Sequence, residues 1–170
     1  PLAHRLGIGH LKWELEDLGF RYLKPEAYKQ IASSLAERRI DRERYIEAFV
    51  KRLQDELDKA NIKAEVKGRA KHIYGIWKKM SRKKQDFHQI YDVRAVRILV
   101  DDIKDCYGAL GIVHTLWQYL PGEFDDYIAT PKENNYRSIH TAVVGPEGKT
   151  VEVQIRTNDM HQESEYGVAA

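Results

Sequence analysis

The spacing of the apolar residues changes character at Asn61, and this change restricts the fold more than any other feature of the chain. Upstream, Leu11, Leu15, Leu18 and Tyr22 recur at helical intervals, and Pro25 opens a second segment where its missing N–H is harmless. Ile46, Phe49, Val50, Leu53 and Leu57 form a third stripe behind an Asp41 cap. Helices are therefore predicted over 5–23, 25–38 and 41–60, with no obvious chemistry on them. Downstream, short alternating runs between turns predict strands over 62–67, 93–100, 138–144 and 150–157, with helices from about Ala70, Asp102 and Asn158. The expectation is an α+β fold, a mixed β-sheet flanked by helices and preceded by a helical segment, with a division near residue 60.

Composition excludes some function classes. No run approaches the roughly 18 apolar residues of a spanning helix, so no membrane role is expected, and 42% hydrophobic residues in 170 are enough for a core. Cys106 is the single cysteine, which rules out an internal disulfide and a thiolate zinc cage and suits a reducing, cytoplasmic setting. It reads as a packing residue. Pro1 to Gly9 lack the parts of a signal peptide and the chain begins without Met, as an excised fragment would.

The net charge of +2 hides an asymmetry. Between Lys63 and Lys84 lie nine basic residues and one acid, Glu65, so this segment carries +8 and the remainder −6. Such a patch suits a polyanionic partner. At about 100° per residue, Lys71, Gly75, Lys78, Lys79 and Arg82 share one side of a helix, with Ile73, Ile76, Trp77 and Met80 on the other. Gly75 leaves room for close approach at the centre of the cationic side, which reads as a phosphate-facing surface.

Motif-like strings elsewhere carry less. Gly145-Pro-Glu-Gly-Lys-Thr150 ends like a phosphate loop, but it has the wrong glycine spacing and precedes a strand, so it reads as a hairpin turn. Gly7 and Gly9 lack the rest of a dinucleotide fingerprint, and the histidines show no metal-ligand spacing. In Val151-Glu-Val-Gln-Ile-Arg156, strict alternation lines up Glu152, Gln154 and Arg156 on one face of a strand. Asp92 stands just ahead of the apolar run from Val93 to Val100. One Asp and one Glu from two strands match the few carboxylates that Mg²⁺ takes alongside substrate phosphates, although surface salt bridges would also account for them.

Gly68-Arg-Ala-Lys-His-Ile-Tyr74, Tyr91-Asp-Val-Arg-Ala-Val-Arg97, Asp126-Tyr-Ile-Ala-Thr-Pro-Lys132, Asn134-Asn-Tyr-Arg-Ser-Ile-His140 and Glu152-Val-Gln-Ile-Arg-Thr157 together resemble the successive motifs of the RelA/SpoT alarmone synthetase domain. Residues 1–60 resemble the tail of the hydrolase-like region and linker that precede this domain in long members, which leaves 61–170 as a synthetase domain cut short at Ala170. The resemblance implies transfer of the β,γ-diphosphate of ATP to the ribose 3′-hydroxyl of GDP or GTP, giving (p)ppGpp and AMP, with Mg²⁺ as cofactor. It implies Lys71, Lys79 and Arg82 on the ATP phosphates, Arg69 and Arg97 on adenine, and Tyr136 stacked on guanine, with Lys132, Asn134 and His140 at neighbouring acceptor positions. Asp92 and Glu152 match the metal ligands, with Glu152 also the proton acceptor and Gln154 its orienting neighbour. Ribosome and uncharged tRNA would be reached through regions of the parent absent from this chain.

Two departures matter. Gly75 stands where family members commonly have Ser, and Glu123-Phe-Asp-Asp126 is the acidic form of a loop that is basic in bifunctional members. Glu123, Asp125 and Asp126 could therefore recruit a second Mg²⁺ or select the acceptor, and a monofunctional synthetase is expected. The rival class is a catalytically silent nucleotide- or RNA-binding regulatory domain. Acids beside the basic face argue against it, because they weaken phosphate binding. A nucleotidyltransferase that passes AMP would instead release pyrophosphate.

Overall fold

The computed structural model describes residues 9–69, 72–83 and 94–166. Three helices come first: α1 (Gly9–Leu23), α2 (Pro25–Glu37) and α3 (Arg39–Lys59). Then follow β1 (Ala64–Gly68), α4 (Ile73–Lys83), β2 (Arg94–Val100), α5 (Ile103–Leu116), the two-residue strands β3 (Gln118–Tyr119) and β4 (Asp125–Asp126), β5 (Ile139–Val144), β6 (Thr150–Thr157) and α6 (Asn158–Tyr166). The α+β expectation holds. The change of periodicity at Asn61 coincides with a turn in which Asn61 itself adopts a left-handed φ of 58°.

The sheet runs β1-β2-β6-β5-β3, with β4 also on β5. The β2/β6 pair is parallel and the other pairs are antiparallel. Gly145 to Thr150 closes the β5–β6 hairpin through a 3-10 turn at Pro146–Gly148, as its composition suggested. The strands β3 and β4 were not foreseen. They form an interrupted edge on β5, too short to leave a periodic signature.

Two apolar clusters hold these layers. The larger joins Val96, Ile98, Val151, Val153 and Ile155 of the sheet to Phe49, Leu53 and Leu57 of α3 and to Cys106, Ala109 and Val113 of α5. The helix α3 therefore covers the sheet and shares its core. Gly68 sits at this junction: a Cβ there would meet Ile46 Cγ2 of α3 at 2.8 Å. Asp41, expected as a cap, lies inside the first turn of α3, where its charge still suits the positive end of the helix. Burial pushes the Cys106 thiol up to about 12, consistent with packing rather than reactivity.

The smaller cluster joins Phe20 of α1 and Ile31 of α2 to Ile76, with Ile73, Trp77 and Met80 packed around it. It takes up the apolar side of α4 and leaves Gly75, Lys78 and Arg82 exposed. Asp17 of α1 accepts a hydrogen bond from the Tyr74 N–H at 2.9 Å, occupying a donor in the first turn of α4 that has no partner within the helix.

Candidate active site

Alternation along β6 separates the two sides of the sheet. Val151, Val153 and Ile155 enter the core, while Glu152, Gln154 and Arg156 form a row on the opposite face. Register then sets their neighbours: Ala95 lies beside Glu152 and Arg97 beside Gln154 on β2, and Ala142 and His140 flank the same two residues on β5. Small residues on either side of Glu152 leave its carboxylate accessible.

The cationic side of α4 faces this row. Lys79 Nζ lies 2.5 Å from Glu152 Oε1, with both side chains 27% exposed. Two cavities of about 290 and 280 Å³ meet at Arg69, Lys79 and Glu152. The first runs under Gly75 and Lys78 towards α1, where Lys12, Trp13 and Glu16 form its far wall with His72. The second runs along β5 past Arg82, Lys132 and His140 to Glu123 and Asp125. Larger cavities of about 550 and 720 Å³ flank α3 and share Arg94. Size does not select the site, because only the smaller pair has Glu152 in its wall.

Residues 68–170 match the family described as the region found in RelA/SpoT proteins. The chain belongs to the RelA/SpoT family. It is 63% identical over 170 residues to the GTP pyrophosphokinase of Photobacterium angustum and 62% identical to that of Escherichia coli K12, covering all of this chain and 23% of each relative. The chain thus spans about a quarter of the length of these proteins. Its fold is similar to small alarmone synthetase 1 from Bacillus subtilis bound to its product pppGpp, with a TM-score of 0.55 and 26% identity over 78% of this chain and 76% of that one.

Among the candidate site residues, the structure groups Arg69, Lys79, Arg82, Glu152, Gln154, Lys132 and His140 around the second cavity. Lys71 and Asp92 lie outside the described residues. Arg97 lines neither small cavity: its Nε donates to Gln154 Oε1 at 2.6 Å. Gln154, expected to orient Glu152, engages Arg97 and Tyr136, its Nε2 donating to the Tyr136 hydroxyl at 2.7 Å. That hydroxyl also pairs with His140 Nε2 at 2.8 Å. Asn134 Oδ1 accepts from the Tyr136 N–H at 3.1 Å, a local turn that presents the ring, and Asn135 takes the left-handed φ of 63° that asparagine tolerates. Lys132 Nζ lies 4.6 Å from the Tyr127 ring centre and 5.2 Å from that of Tyr136.

Asp126 differs from the other two acids of its loop. Its Oδ1 accepts from the N–H groups of Ile128 and Ala129, and its Oδ2 accepts from the Tyr107 hydroxyl at 2.7 Å. Both oxygens secure the loop, which leaves Glu123 and Asp125 as the acids that line the cavity.

The electrostatics follow from burial among cations. Desolvation, reinforced by Arg156 and Arg69, brings Arg97 down to about 10. Burial first, then Arg69 and Lys132, brings His140 down to about 4, so its imidazole is neutral at pH 7. Sequence reasoning missed the wall that α1 supplies. Trp13 stacks on His72 with ring centres 4.5 Å apart, but it sits in an ordinary helical pattern that carries no catalytic signature. Tyr107 was missed for the same reason.

Proposed function

We propose that this chain is the synthetase part of a GTP pyrophosphokinase, moving the β,γ-diphosphate of ATP to the 3′-hydroxyl of GDP or GTP and producing (p)ppGpp and AMP. The observation that carries this reading is the pair of cavities meeting at one carboxylate and its cations. A transfer between two nucleotides needs two adjoining sites with a proton acceptor where they meet, and a passive RNA groove has no use for that acid. The first cavity would take ATP, its phosphates drawn to the junction at Arg69 and Lys79, with Arg82 within reach on the second cavity's wall and Lys71 expected to join them. The second would take the acceptor, with its base against Tyr136 and Lys132, and with Asn134 and His140 shaping the loop and floor.

At rest Glu152 is neutralised by Lys79. Arriving phosphates compete for the ammonium, and as it turns to them the carboxylate becomes the acceptor for the 3′-hydroxyl proton. The 3′-oxygen then bonds to the β-phosphorus of ATP, the bond from that phosphorus to the α,β-bridging oxygen breaks, and AMP leaves with the electron pair. Arg69, Lys79 and Arg82 offset charge that would otherwise build up as the diphosphate moves.

The donor chemistry here fits a hard cation. Magnesium keeps several waters and takes one or two carboxylates plus substrate phosphates, so Glu152, with Asp92, would hold it without a protein cage. When bound it supplies charge stabilisation on the diphosphate. Glu123 and Asp125 would serve a second ion or acceptor selection, and the acidic loop goes with a monofunctional synthetase. Cytoplasmic location, and ribosome and tRNA contacts through other parts of the parent, complete the reading. No helix among the described residues is long and apolar enough to cross a membrane.

Incubating γ-labelled ATP with GDP and Mg²⁺ tests the reaction. Label should appear in a guanosine nucleotide with AMP released, and Asp92→Asn and Glu152→Gln should abolish it. Release of pyrophosphate, or full activity in both variants, would overturn the assignment.

A further inference from the structure

We infer that Trp13 is a binding residue of the donor site, its indole forming with His72 the flat wall on which the purine of ATP stacks, an inference that rests on the two-nucleotide reading above. Trp13 belongs to α1, outside residues 68–170 that match the RelA/SpoT family, so it is not among the motif residues. Its place in the site comes from packing alone.

The first cavity has two unlike ends. At one, Lys79 and Glu152 stand at the junction where the transferred phosphates must lie, so a triphosphate seated there directs its base towards the other end. That end is walled by α1, and Trp13 and His72 are the aromatic members of the lining. Their rings stack with centres 4.5 Å apart and planes 22° from parallel. A stacked pair leaves each ring one outer face, and a purine gains from extending such a stack because it carries a large π-face of its own. Burial above all holds His72 below its ordinary pKa, so at pH 7 the pair is neutral and suits a neutral base. Of the two arginines expected on adenine, Arg97 lines neither small cavity and Arg69 stands at the junction. The flat surface for the base therefore comes from α1.

The wall is already in place. One turn beyond Trp13, Asp17 accepts the Tyr74 N–H bond, and further along Phe20 is buried with Ile76, so α1 is fixed to α4 by a polar and an apolar contact. A Cβ on Gly75 meets nothing within 4 Å, which leaves open the space between the cationic side of α4 and the ring pair. A preformed platform spares the ligand the cost of ordering it.

Calorimetry on the intact protein with Mg²⁺ tests this with two probes: the α,β-methylene analogue of ATP, which lacks the bridging oxygen whose bond is broken, and inorganic tripolyphosphate, which carries three phosphates and no base. Trp13→Leu keeps an apolar side chain and removes the ring. It should weaken the analogue about tenfold and leave tripolyphosphate within about twofold of the unmodified protein. Trp13→Phe keeps a smaller ring face and should recover most of the loss. A merely structural role for Trp13 would weaken both probes together, and that result, or undiminished affinity of Trp13→Leu for the analogue, would overturn the inference. Fluorescence keeps the test decisive even if the Leu variant fails to fold. Trp77 and Trp117 do not line the first cavity, so the analogue, and not tripolyphosphate, should quench emission in the unmodified protein, and Trp13→Phe should lose that quench. A quench that persists in Trp13→Phe, or none in the unmodified protein with analogue bound, would overturn the inference as well. Failure of the unmodified protein to bind the analogue at all is a different result, one that removes the transfer reading itself.

Discussion

The two faces of β6 come from the same eight residues and do opposite things. On one, Val151, Val153 and Ile155 are at most 1% exposed beneath α3 and α5. On the other, Glu152, Gln154 and Arg156 are tied to Lys79, Arg97 and His161. The apolar face gains from excluding water and tolerates changes of shape better than changes of polarity. The polar face gains nothing from burial unless each group finds a partner, so its neighbours must be specified one by one. The contrast teaches that stability and chemistry are assigned to alternate residues, where each can be perturbed with limited effect on the other.

Substitutions can break that separation or sharpen it. The largest effect is expected from Glu152→Gln, which should lower turnover about a thousandfold. It should change the melting temperature little, because the Lys79 pair is partly exposed and a pair of that kind contributes about 1 kcal/mol or less. Parallel turnover and melting measurements check both halves, and a collapse of stability would show that the polar face also holds up the fold. Ile155→Ala is the mirror image, with a loss of about 2–5 kcal/mol in denaturant unfolding as a buried side chain leaves a cavity.

The third expectation concerns pH. His140 has a folded pKa of about 4 against an ordinary value of 6.5, so below pH 6.5 the unfolded chain binds the extra proton. Its contribution is fully present above that pH and is lost as pH falls through 4, by about 3 kcal/mol in total. His72, His114 and His161 are also held low by burial and act in the same sense. Melting curves of the parent and of His140→Gln between pH 7.5 and 4.5 isolate the one residue, whose replacement should flatten the slope. The smallest effect belongs to Gly75→Ser. A Cβ there meets nothing within 4 Å, so the change should raise stability by about 0.5 kcal/mol through helix propensity and leave turnover intact. A large loss of turnover would mean that the helix must approach its ligand more closely than this structure shows.

Much of this was legible in the amino-acid order. Alternation along 150–157 was enough to place Glu152 and Gln154 on one face, and helical spacing divided α4 into an apolar and a cationic side, because both patterns repeat the geometry of the backbone itself. The two-residue strands, the wall contributed by Trp13 and the securing of Asp126 by Tyr107 were not legible, since each depends on residues distant in sequence and leaves no periodic mark.

Local periodicity and residue type thus determined the elements, the polar row and the concentration of charge opposite it. The tertiary structure alone decided that α1 and α2 hold the cationic helix over that row, that Lys79 meets Glu152, and that Gln154 bonds to Arg97 and Tyr136. The physical reason is that side-chain partners are chosen by strand register and helix packing, which depend on the whole core, whereas the facing of a residue depends only on the two or three bonds around it.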